Sequence, residues 1–91
     1  MKGETMLAWY YHRGRLQEID GEHPGVIASV YKGKARVRFH EDTETLAVQA
    51  RSRHICRQAV AAVLDEGQIM PSRINAEWPG QFIECWIQEW S

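Results

Sequence analysis

The hydrophobic positions change their period near the middle of the chain. Residues 7–12, Leu-Ala-Trp-Tyr-Tyr-His, are rich in strand-forming aromatics, and Arg13-Gly14 supplies a turn into a weaker second strand over 15–19. Asp20 to Gly25 gathers Gly, Pro and Asp, which predicts a loop. Residues 26–31 and 34–39 are β-rich and are separated by Lys32-Gly33, the spacing of a tight hairpin. In its second arm Ala35, Val37 and Phe39 alternate with Lys34, Arg36 and Arg38, so one face belongs to the core and the other to solvent. Residues 41–44 form a polar turn, and 45–48 return as a short further strand.

From Ser52 the period lengthens. Ile55, Cys56, Ala59, Val60, Val63 and Leu64 form two rows that repeat every four residues, the stripe of an amphipathic helix packed on a sheet. Ser52 caps its start and Gly67 its end. Residues 68–75 read as a connector interrupted by Pro71. Between 81 and 90, Phe82, Ile83, Trp86, Ile87 and Trp90 fit a helical spacing, which predicts a second helix with Pro79 near its first turn. The alternative is a last strand closing the sheet, because aromatics and isoleucines also favour strands.

Strands followed by helices predict one α+β domain spanning 1–91, with residues 1–5 a flexible tail: a small antiparallel sheet of four or five strands, packed on one face by one or two helices. From Gly25 to Val48 the run Gly-Val-Ile-Ala-Ser-Val-Tyr, a Gly-containing turn, Ala-Arg-Val-Arg-Phe and an acidic turn resemble the central strands of an SH3-like barrel of the Tudor or KOW kind. The chain departs from that family in its last strand, which is read here as a helix. The resemblance implies a binding module, although a fold does not by itself carry a function.

Composition narrows the class. The chain has 91 residues, of which 44% are hydrophobic and 25% charged, a balance that excludes a disordered polymer. No apolar run approaches the roughly 20 residues of a membrane span. The polar start, Met1 to Thr5, lacks the features of a signal or transit peptide, so a cytoplasmic location is expected. In a reducing compartment Cys56 and Cys85 are expected to be small buried hydrophobes rather than a disulfide.

The net charge of -1 hides an uneven distribution: residues 32–57 hold seven Lys or Arg against three Asp or Glu, and the excess acid lies beyond them. Lys34, Arg36 and Arg38 stand on one strand face about 6.6 Å apart, a spacing comparable to the phosphates of an extended single strand. Arg51 and Arg53 lie close by in sequence. These five residues are the candidate partner-binding set, for nucleic acid or an acidic protein surface. The competing reading is a solvated strand face whose cations deter aggregation.

Catalytic and metal chemistry find less support. His40 adjoins Glu41 and Asp42, but consecutive strand residues point to opposite faces. His54, Ser52 and Cys56 gather at the helix start, where a helix dipole lowers a thiol pKa, yet Cys56 also belongs to the apolar stripe. The pair His54-x-Cys56 diverges by roughly 200° around a helix, and His12 and His23 are scattered. No cofactor, no metal site and no enzymatic activity are therefore expected. A ligand cleft involving His40 or His54 is the catalytic alternative.

The aromatic C-terminus needs a cover. Trp78, Phe82, Trp86 and Trp90 place large apolar area in thirteen residues, which either close the sheet within one chain or form a homodimer interface. The leading expectation is a non-enzymatic binding domain, homodimeric through this segment. A nucleic-acid-binding module using the basic strand is the first alternative.

Overall fold

The computed structural model describes residues 6–18 and 34–90. Their elements are β1 (Met6–His12), β2 (Arg15–Glu18), β3 (Ala35–His40), β4 (Thr45–Gln49), α1 (Arg53–Glu66), β5 (Arg73–Trp78), β6 (Gln81–Trp86) and a single-turn α2 (Ile87–Trp90). Among the described residues the strands form one six-stranded sheet in the order β2-β1-β3-β4-β5-β6. Neighbours run antiparallel except β4 and β5, which are parallel. A parallel pair needs a long crossover, and α1 provides it.

Local chemistry explains the turns. Arg13 and Gly14 both have positive φ, 53° and 81°, the mark of the two-residue hairpin whose twist matches its strands. Between β5 and β6, Pro79 fixes a negative φ and Gly80 takes +82°, a combination that suits Pro and Gly at the centre of a type II turn. The Ser52 hydroxyl accepts the Ile55 N–H at 3.2 Å, and Gly67 closes α1 in the left-handed conformation.

The core lies between the sheet and α1. Strand alternation sends Trp9 and Tyr11 of β1, Val37 and Phe39 of β3, Leu46 and Val48 of β4, and Ile74 and Ala76 of β5 into it. There they meet Cys56, Ala59, Val60 and Val63 of α1. Trp90 closes the far end of this layer, 5% exposed, with the guanidinium groups of Arg53 and Arg57 each 5.8 Å from its ring centre.

The α+β class and the helix with both caps agree with the sequence pattern. The sheet is larger than expected and mixed rather than antiparallel. Residues 73–78, read as the end of a connector and its sequel, form β5, which slots in parallel to β4. Residues 81–86 form a strand instead of a helix, because pairing with β5 completes the hydrogen bonds of both strands and sends Ile83 and Cys85 inward. Pro79 accordingly sits in a turn. Both edges of β3 are occupied, by β1 and β4, in an open sheet. The first arm of the expected hairpin, 26–31, lies outside the described residues, as do the tail 1–5, His23 and Lys32.

Candidate functional site

The alternation that fills the core also builds a second surface. On the face of the sheet opposite α1, three cross-strand rows can be followed through the register. The first runs Tyr10, Arg36, Gln49, Glu77, Phe82; the second Ala8, Arg38, Ala47, Asn75, Glu84. A third carries His40, Thr45, Arg73 and Trp86. The α1 helix packs on the other face of the sheet. Neighbouring strands lie about 4.8 Å apart, and successive residues on one face of a strand about 6.7 Å.

The rows have a polarity. Cations concentrate over β3: Arg36 and Arg38 are adjacent on the face, and Lys34 places its ammonium 4.9 Å from the Tyr10 ring centre. The Tyr10 hydroxyl donates to Gln17 of β2. Acid exceeds base over β5 and β6: Arg73 pairs with Glu84 at 3.3 Å and lays its guanidinium 5.3 Å from the Trp86 ring centre, while Glu77 adds a second carboxylate. Phe82 and Trp86 on β6 remain 62% and 53% exposed.

Ala47 ends at its Cβ, so the middle of the surface sinks between β3 and β5. The resulting depression of about 240 Å3 is lined by Arg36, Arg38, Gln49, Asn75, Glu77 and Phe82, with His40 at one end. Gln49 Nε2 donates weakly to the Glu77 carboxylate at 3.4 Å. Asn75 Oδ1 is buried and accepts no hydrogen bond from the described residues. Natural proteins leave few buried acceptors in that condition.

Packing on the other side fixes this surface in place. The Glu77 carbonyl takes the Ala50 N–H at 3.0 Å and the Cys56 thiol at 3.7 Å, so α1 and the end of β4 hold the backbone from which the Glu77 side chain projects. Burial pushes the Cys56 thiol up to about 11, against the smaller opposing effect of its backbone hydrogen bonds, which leaves it protonated and unreactive at neutral pH. Burial also raises the Cys85 thiol, and the nearby Glu89 carboxylate adds to the effect. Both cysteines are free thiols.

The residues singled out in the sequence divide between the two sides. Lys34, Arg36 and Arg38 stand together as expected. Arg53 does not join them: it begins α1, on the covered side, and lies against Trp90. Arg51 is exposed in the link from β4 to α1 and does not line the depression. The aromatic segment divides too, with Trp90 inside its own chain, Trp78 half-buried against the core, and Phe82 and Trp86 exposed. His40 and His54 lie on different layers, His40 on the sheet and His54 exposed on α1 beside Gln58. No cluster of three or more His, Cys, Asp or Glu capable of holding a metal occurs among the described residues. No described helix is long and apolar enough to cross a membrane.

Sequence reasoning missed Gln49, which the β3–β4 pairing sets beside Arg36, and also Asn75 and Glu77, which only the parallel pairing of β4 and β5 brings onto the same face. Comparisons with family models, with curated proteins and with solved structures find no match to this chain.

Proposed function

We propose that this chain is a binding domain, not a catalyst, and that its sheet face opposite α1 holds single-stranded nucleic acid. One observation carries the reading: the basic residues Arg36 and Arg38 and the exposed rings of Phe82 and Trp86 share that face. Cations that track a phosphate backbone beside aromatics that stack on bases are the two requirements of single-strand binding. From β3 to β6 is three strand spacings, about 14 Å, which lets a strand lay its phosphates on one side and its bases on the other.

A labelled heptauridylate titrated with the protein at low salt is expected to bind with micromolar affinity. Its log affinity should fall against log salt with a slope of about -2, the value for roughly three neutralised phosphates of a single strand. Arg36→Glu with Arg38→Glu should abolish binding while the fold survives. Absence of wild-type binding at low salt refutes the reading.

A second reading is self-association through β6, favoured by the position of that strand at the sheet edge with Phe82 and Trp86 exposed on it. Sedimentation velocity at high concentration distinguishes the two: a dimer that Phe82→Lys and Trp86→Lys convert to monomer supports it, and a wild-type monomer removes it.

A further inference from the structure

Single-strand binding leaves the depression over Ala47 unexplained, since stacking and phosphate contacts need only a flat surface. We infer that this depression is a one-base pocket that selects guanine; the inference rests on the nucleic-acid reading above. Its volume, about 240 Å3, falls below the roughly 300–1,000 Å3 of sites for drug-sized ligands and suits one planar ring system. Its width also fits a nucleotide. Arg36 and Arg38 on β3 and Asn75 and Glu77 on β5 are two strand spacings apart, about 10 Å. A phosphate held by the arginines therefore places its base across Ala47, against β5.

The chemistry of the β5 wall decides which base. The Glu77 carboxylate is exposed, acceptor-only and lightly engaged by Gln49, so its two oxygens are placed to take two adjacent donors, whereas Asn75 Oδ1 is closed to solvent beneath the surface. Beside them the Gln49 amide offers donors. Guanine presents the complementary edge: the N1–H and the N2 amino group donate side by side, and O6 accepts next to them. Adenine offers an acceptor where guanine has N1–H, which would face a carboxylate unfavourably. Cytosine and uracil lack the adjacent pair of donors. Phe82, next to Glu77 in the first row, supplies an apolar wall for the ring.

The test uses the intact protein and fluorescein-labelled heptauridylates carrying U, A, C, G or inosine at the central position, read by anisotropy. The guanine oligonucleotide is expected to bind at least about tenfold tighter than the adenine one, and inosine, which lacks the N2 amino group, should lose much of that gain. Glu77→Gln should bring guanine to the level of adenine, read as the ratio of the two affinities within the same variant so that the general effect of the lost charge cancels. Ala47→Leu, which fills the depression from an outward-facing position, should level the preference in the same way, and urea unfolding of both variants verifies the fold. Equal binding of all five oligonucleotides, or preference for another base, overturns the guanine pocket and leaves the nucleic-acid reading intact. Failure of every oligonucleotide to bind removes both. Guanosine monophosphate that competes as well as the whole oligonucleotide overturns the claim that the base arrives as part of a strand.

Discussion

The two faces of the sheet use the same strands to opposite ends. Along β3 the residues Ala35, Val37 and Phe39 are buried, while Arg36 and Arg38 between them stand on the other side. Along β5 Ile74 and Ala76 are buried, and Asn75 and Glu77 line the depression. A residue therefore changes face with each step along the chain, and a one-residue slip in register would exchange the core for the opposite surface. The covered face fixes the position of the other, most directly where the Cys56 thiol and the Ala50 N–H hold the Glu77 carbonyl. Substitutions on the first face should register in stability, and those on the second in binding.

The sharpest break comes from the core. Ile74→Ala, at a side chain with no exposed area, is expected to cost about 2–5 kcal/mol, through lost transfer energy and an unfilled cavity, as read by urea denaturation. A loss under about 1 kcal/mol would mean that the covered face does not carry the fold.

The next effect is set by pH. The Cys56 thiol is raised from 9.0 to about 11, so the folded chain favours its neutral form. That contribution is fully present below about pH 9 and disappears as pH rises through about 11. The loss across that window is on the order of a couple of kcal/mol, lessened by solvent screening. Comparing unfolding of the wild type with Cys56→Ala across pH 8 to 11 isolates it; parallel curves for the two proteins would show that the thiol is not held neutral.

The smallest effect is expected on the other face. Phe82→Ser and Trp86→Ser should each change stability by no more than about 0.5 kcal/mol and yet weaken heptauridylate binding several-fold. A large loss of stability would place these rings in the structural core and merge the two faces into one.

Much of the covered face was legible in the sequence. Ser52, the four-residue repeat and Gly67 delimit α1 through local hydrogen bonding and backbone conformation, and the alternation from Lys34 to Phe39 assigns each side chain of β3 to a face. Local pattern does not specify which strands become neighbours. Nothing near Arg36 announces that Asn75 and Glu77 will lie two strands away, because the β4–β5 pairing is made across a crossover. The C-terminal segment misled for a different reason. Phe82, Ile83, Trp86 and Ile87 satisfy a helical repeat, but the pairing of β6 with β5 sends Phe82 and Trp86 outward and Ile83 inward, so one helical stripe becomes two strand faces. The same division leaves Trp78 and Trp90 against the core of their own chain and Phe82 and Trp86 exposed.

The parallel pairing of β4 with β5 has a consequence for when the chain becomes competent. During synthesis β3 and β4 can zip together early, their residues being close in sequence, but the opposite wall of the depression emerges later and must wait for α1 to form and fold back. A nascent chain that ends before Glu77 carries the arginines without the carboxylate opposite them. Under the proposed reading, base discrimination is thus among the last properties acquired, and a product truncated before Glu77 would hold charge without selectivity.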